Sequence, residues 1–313
     1  MATQGNPVNS LTRTSAPNQR SMIQSKGIQI AVYQWGVSHP SCPTLVCIHG
    51  YPDNAAVWND FAQHLSDRYH VVTYDVRGSG DSAKPSASAA YQFEHLTSDL
   101  MAVIDHVSPK RPVHLIGYDW GALQGWDAIL SGHLEGRING YSTAAPSLDH
   151  AGHWFQRRLR SGKVADLRLF AQRALGSSYM LMIQTPIIPE LTWQFGLGTL
   201  WPRLVSRMER TAVPANPNLI SDAQHGLGLY RANLLPALLH PTTRTTSVPV
   251  QLLIMRHDPF VAPIMFEGME EWAAHITRTT IKAGHWWLLS QPQLVAEQIA
   301  AYVEQIHSPD VTV

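Results

Sequence analysis

Short apolar runs of four to six residues alternate with stretches of helical period along most of this chain. Thr44–His49, His70–Tyr74, Val113–Gly117 and Ile138–Tyr141 are such runs, with the composition of strands buried on both faces of a parallel sheet. Helices are expected near Asn54–Ser66, Phe93–Val107 and Ala122–Ser131. An opening hairpin is expected where Ser21–Gln24 and Gln29–Gln34 flank Lys26-Gly27. From about Pro146 to His240 the strand pattern stops. That stretch carries Trp154, Trp193 and Trp201, several prolines and helical segments such as Lys163–Ala174. The alternation resumes with Val250–Met255, a helix near Pro263–Ala274, the strand Thr277–Ile281 and a closing helix near Leu294–Ile306. The pattern predicts an α/β core at 22–145 and 241–313, covered by helices on both faces of a mostly parallel sheet. Residues 146–240 read as a helical cap inserted after the sixth strand.

Composition narrows the function classes. The chain has 313 residues and 44% apolar content, enough for one large α/β domain with an insertion or for two small domains. Lys plus Arg equals Asp plus Glu at 23 each, so no basic excess points to nucleic acid. No run of 18 apolar residues is present, which argues against a membrane span. Residues 1–21 are polar, acid-free and rich in Ser, Thr, Asn and Pro. They read as a disordered arm, with Arg13 and Arg20 giving only a thin transit-peptide signal. Cys42 and Cys47 are the two cysteines. The extended strand between them holds their Cα atoms roughly 16 Å apart, beyond disulfide reach. Unpaired thiols and the absence of an Asn-x-Ser/Thr sequon favour a reducing cytoplasm.

The chemistry enters at Gly117-Tyr-Asp-Trp-Gly121, directly after the strand at Val113 and before a helix. Strand, G-x-Z-x-G and helix form a nucleophile elbow, which holds residue Z exposed in a strained turn. Here Z is Asp119. A carboxylate is a poor nucleophile toward amides, yet it can displace a leaving group at an sp³ carbon to give an ester. That points to ring opening or dehalogenation. His49-Gly-Tyr-Pro-Asp53 follows the strand at Thr44, and its glycine turn can aim the amide of Tyr51 at a developing oxyanion. The amide of Trp120 would be the second donor.

Ester hydrolysis needs a base to activate water. His285, in Ala283-Gly-His-Trp286 after the last expected strand, stands where chemistry collects in open α/β sheets. Asp258, in Arg256-His-Asp-Pro-Phe260 after the preceding strand, would fix its tautomer, and Asp149 is the runner-up acid. Gly78-x-Gly80-x-x-Ala83 is formally a dinucleotide fingerprint. The loop-forming Lys84-Pro-Ser-Ala-Ser that follows rejects it, because that motif must open a helix. No cofactor is therefore expected. His150-x-x-His153 alone is a weak metal signal, and no metal is expected either.

With HGYPD, YDVRGSGDS, GYDWGA, RHDPFV and AGHWW in succession, the chain resembles the epoxide hydrolase branch of the α/β-hydrolase superfamily over about residues 25–307. It is also similar to the hydrolase half of bacterial proteins fused to a short-chain dehydrogenase. The resemblance implies an α/β-hydrolase fold with an eight-stranded sheet. It also implies conversion of a small to medium apolar epoxide and water to a vicinal diol through a covalent Asp119 ester. Two cap tyrosines of that family hold the epoxide oxygen, and Tyr179 and Tyr230 lie in matching contexts. Tyr118 stands where a His is usual, Ala122 where a Gly is usual, and Tyr51 where Phe or Trp is commoner. Tyr51 and Tyr118 are thus expected to reshape the pocket or add a polar contact. A haloalkane dehalogenase would use the same Asp, His and acid, and a ligand receptor would keep the fold without turnover. The two tyrosines favour epoxides over the first, and the intact triad argues against the second. The sequence leaves a homodimer open.

Overall fold

In a computed structural model, which describes residues 16–39 and 42–307, eight strands form one sheet in the order β1-β2-β4-β3-β5-β6-β7-β8. They are β1 (Gln19–Ser25), β2 (Ile28–Trp35), β3 (Thr44–Ile48), β4 (His70–Tyr74), β5 (Val113–Gly117), β6 (Ile138–Thr143), β7 (Val250–Met255) and β8 (Ile276–Ile281). β1 and β2 pair antiparallel, as do β2 and β4, and every later pairing is parallel.

The central strands β3, β4, β5 and β7 are buried along their whole length. Alternate side chains of a strand point to opposite faces. Val46 and Ile48 accordingly pack into one apolar cluster with Val72 and Leu115, while Leu45 and Cys47 pack into the other with Val71 and Ile116. A core on each face explains why these strands read as continuous apolar runs. Helices α1 (Asn59–Leu65), α2 (Phe93–Val107) and α3 (Trp120–Leu130) connect the first strands. Six more separate β6 from β7: α4 (Leu148–Arg160), α5 (Val164–Gly176), α6 (Tyr179–Gln184), α7 (Ile188–Thr192), α8 (Gly198–Glu209) and α9 (Leu219–Leu239). A short α10 (Trp287–Ser290) and the closing α11 (Pro292–His307) complete the α-helices among the described residues.

Three expectations need correction. The segment near Pro263–Ala274 is not a helix but two 3₁₀ turns, Pro263–Phe266 and Met269–Glu271, separated by Gly268 at φ 80°. Backbone at that angle cannot continue a right-handed helix. The stretch from Asn54 begins as a 3₁₀ turn at Ala55–Trp58 before α1 takes over. β1 starts at Gln19, paired with Gln34, so the last three residues assigned to the arm belong to the sheet. The arm's first fifteen residues lie outside the described ones.

Strand register positions the loops that matter. Ile48 pairs with Gly117, so the turns after β3 and β5 emerge side by side. Met255 pairs with Ile281, so the turns after β7 and β8 do the same. Packing at the elbow leaves no room for a side chain beside Asp119. A Cβ on Gly121 would lie 2.0 Å from the carbonyl oxygen of Ile48, and one on Gly50 would lie 2.4 Å from Cβ of Asp119. Both obstacles are close to rigid backbone. Gly121→Ala should therefore cost about 3 kcal/mol of stability. Urea unfolding checks this, and a midpoint unchanged from the parent protein would contradict it.

Candidate active site

Asp119 sits at the turn between β5 and α3 with φ 51° and ψ −120°. Few L-residues adopt that region, at a cost of roughly 1–3 kcal/mol, and the reward is a carboxylate turned away from the sheet. The amide of Tyr51, three residues past β3, donates to Asp119 Oδ1 at 2.7 Å. Trp120 is the first residue of α3, whose leading N–H groups have no acceptor within the helix. Asp119 Oδ2 lies 3.5 Å from Nε2 of His285. Its two oxygens therefore face different partners.

His285 stands four residues beyond β8 and Asp258 three beyond β7, where the register brings them together. The ring's Nδ1 and Asp258 Oδ2 are 2.7 Å apart. Asp258 is itself fixed, because its Oδ1 accepts from the amides of Phe260 at 2.7 Å and Val261 at 2.9 Å. Burial works against charging the imidazole, but the carboxylates of Asp258 and Asp119 outweigh it and raise its pKa to about 10. With Asp119 anionic, the ring is thus a buried imidazolium at neutral pH. Neutralising Asp119 would remove part of that support.

Tyr179, at the start of α6, and Tyr230, inside α9, come over Asp119 from the helices between β6 and β7. Both phenols are pushed well above their ordinary pKa, first by burial and then by the charge of Asp119 and other neighbours. They are neutral O–H donors at pH 7. The rings of Trp120 and Tyr230 pack 4.6 Å apart, edge to face. Two cavities meet here, of about 500 Å³ and 240 Å³, and Asp119, Tyr179, Tyr230 and Phe260 line both.

Other expectations fare differently. Asp149, the runner-up acid, accepts from Thr242 and Arg244 and belongs to a separate polar cluster. His150 is bonded to the carbonyl of Met265 and His153 faces Thr243 Oγ1, so each ring is engaged apart from the other. The loop at Gly78 opens no helix, and it wraps Asp75, which accepts from the amides of Ala55 and Asp81. Tyr118 does not shape the cavity. It is buried behind His285, with ring centroids 5.5 Å apart, whereas Tyr51 does line the smaller cavity.

Asp53 closes the His49-Gly-Tyr-Pro-Asp53 turn, and nothing in the residue pattern marks it for a role. Burial, then the charge of Asp119, lifts this carboxyl to about 7, with His285 and Trp286 opposing. Phe260 and Trp286, flanking His285 at 4.9 and 4.8 Å, were also missed as cavity walls. Their only signal was adjacency to Asp258 and His285.

An open, mostly parallel sheet with an acid at the elbow, an imidazole and its partner acid on the last two strand ends defines a class. The chain belongs to the alpha/beta hydrolase fold family, whose description matches residues 43–292. Among its relatives, "Probable oxidoreductase EphD" of Mycobacterium tuberculosis is 31% identical over 287 residues, covering 89% of this chain and 48% of that protein. The chain thus spans about half the length of the curated relatives that it matches at this level. "Epoxide hydrolase 3" of Xenopus tropicalis is 26% identical over 311 residues, covering 93% of this chain and 80% of that protein. The crystal structure of a Bacillus megaterium epoxide hydrolase with an inhibitor shares the fold, with a TM-score of 0.74 at 21% identity. It covers 91% of this chain and 100% of that one. No helix among the described residues is long and apolar enough to cross a membrane.

Proposed function

We propose that the protein is an epoxide hydrolase, in which Asp119 opens an apolar epoxide and His285 drives hydrolysis of the resulting ester. The single observation carrying this reading is the division of labour on one carboxylate. Asp119 Oδ1 is held by the amide of Tyr51, while Oδ2 faces the imidazolium of His285 beneath two neutral phenols. The names of two relatives, "Epoxide hydrolase 3" and "Epoxide hydrolase A" of Mycobacterium tuberculosis, agree with it.

The protons balance. Asp119 Oδ2 attacks one epoxide carbon from behind, the carbon–oxygen bond breaks, and Tyr179 and Tyr230 hydrogen-bond the departing alkoxide. A phenol gives up its proton and recovers one from the imidazolium of His285. The step ends with a neutral ester, a neutral imidazole and a hydroxyl group. Once esterified, Asp119 no longer supports the imidazolium, so the ring becomes a base. It takes a proton from water, and the hydroxide attacks Cγ of Asp119. The oxyanion rests on the amides of Tyr51 and Trp120. Collapse releases the diol and restores the starting pair of carboxylate and imidazolium. Asp258 keeps the ring oriented throughout.

The helices at 146–240 serve on this reading as a cap, carried by the core at 22–145 and 241–313. Partners are the epoxide and water, with a homodimer as the assembly to test by light scattering. The unpaired thiols of Cys42 and Cys47 favour a cytoplasmic location. A dehalogenase is disfavoured because two neutral phenols, Tyr179 and Tyr230, share the cavity wall with Asp119 and suit a departing alkoxide.

Screening terminal, internal and aryl epoxides for diol, beside bromoalkanes for halide, tests the function. Diol without halide is expected, and halide without diol would reverse the assignment. Tyr179→Phe and Tyr230→Phe should each slow ester formation about tenfold to a hundredfold, and the double variant more than either. Stopped-flow tryptophan fluorescence checks this, and full speed in the double variant would remove both phenols from the mechanism.

A further inference from the structure

The larger cavity is apolar along most of its wall, with leucines from α4 and α9 and Phe155 and Phe170 from α4 and α5. One cation interrupts it. Arg173, in the last turn of α5, is the sole Lys or Arg lining either cavity among the described residues. Its Nε is buried without a hydrogen-bond partner, and among the described residues no carboxylate lies within ion-pair distance of its guanidinium. The other part-buried Arg residues of these helices have such partners: Arg158 meets Asp166 and Glu267, and Arg231 meets Glu190. A half-buried guanidinium beside apolar walls is costly unless an anion satisfies it. Two other polar side chains of this wall are committed elsewhere. Gln156 donates to the carbonyls of Leu238 and Leu239, and Ser147 caps α4.

We propose that Arg173 is a specificity-determining residue that anchors the carboxylate head of an otherwise apolar, chain-like substrate lying in the larger cavity. The proposal rests on the hydrolase reading for its reaction and refines its substrate. Because Asp119, Tyr179 and Tyr230 stand where the two cavities meet, the reacting carbons have room on both sides. The epoxide is then internal to the chain, with a longer arm ending at Arg173 and a shorter apolar arm in the 240 Å³ cavity. A carboxylate suits a wall with one cation, since it brings a single negative charge and its two oxygens match the planar fork of a guanidinium. Ser177 and Ser178 stand in the same wall and offer hydroxyl donors beside it.

Two experiments separate this site from the reaction. Calorimetric titration of the intact protein with decanoate, decyl sulfate, decyl phosphate and decan-1-ol reads the anchor without turnover. Decanoate should bind at least about tenfold tighter than the alcohol, an advantage lost in Arg173→Met and partly kept in Arg173→Lys. Tighter binding of the sulfate or phosphate would overturn the carboxylate assignment. Equal affinity of Arg173→Met and parent for decanoate, in a variant that melts like the parent, would overturn the anchor itself. The second experiment compares a mid-chain epoxide bearing a terminal carboxylate with its methyl ester. Arg173→Met should raise KM for the acid about tenfold or more, with kcat and the ester's kinetics little changed. A decanoate preference that depends on Arg173, combined with no diol from either compound, would refute the hydrolase reading and leave the anion site standing.

Discussion

Asp119→Asn should lose at least about four orders of magnitude in kcat toward any epoxide that the parent enzyme hydrolyses. The amide is close in shape and can keep one oxygen against the amide of Tyr51, so binding and fold should survive. What disappears is the anionic oxygen that forms the bond. The variant also removes the charge that, with Asp258, holds His285 near pKa 10. Its imidazole should then titrate lower, and ¹H–¹⁵N NMR of the ring can follow that shift. Loss of turnover with an unchanged His285 titration would break the link between nucleophile and base that the 3.5 Å contact implies. Diol production near the parent rate would remove Asp119 from the chemistry altogether.

His285→Gln should separate the two halves of the reaction. Ester formation needs Asp119 and the phenols, so it should still occur, at a rate lowered by the missing proton source. Ester hydrolysis needs the base and should slow by about three orders of magnitude or more. The expected outcome is a burst of at most one equivalent per site, followed by near arrest. The intact protein should then gain the mass of one substrate molecule, and Asp119→Asn should gain none. Unmodified His285→Gln that is nonetheless inactive would mean that the imidazole is needed before any covalent bond forms.

Much of this arrangement was legible from residue pattern alone, for identifiable reasons. β4, β5 and β7 have the bounds read from the sequence because their side chains are buried on both faces, which forces continuous apolar runs. The elbow was legible because so few residues fit it: the Ile48 carbonyl excludes any side chain at Gly121. Order along the chain then supplied Asp258 and His285, since pairing of β7 with β8 brings the ends of consecutive strands together.

Where local pattern and tertiary placement part, the reading failed. Pro263–Ala274 has helical spacing, but Gly268 takes positive φ and splits it. Tyr118 was expected at the pocket because it precedes Asp119. In a turn with Asp119 facing the cavity, its neighbour points into the core against Trp58 and Trp287. Arg173 fell within an expected helix, yet periodicity does not reveal which helical face borders a cavity between elements distant in sequence. Asp53 was equally hidden, because its shift to about 7 depends on burial beside Asp119, 66 positions away.

The most direct measurement is a single turnover in ¹⁸O-labelled water, with enzyme in excess over epoxide, followed by mass analysis of the peptide containing Asp119. Attack of water on Cγ of an ester predicts one heavy oxygen in the Asp119 carboxylate and none in the first diol released. Heavy oxygen in that diol, with the peptide unlabelled, would mean that water opened the ring directly and that no bond to Asp119 ever formed.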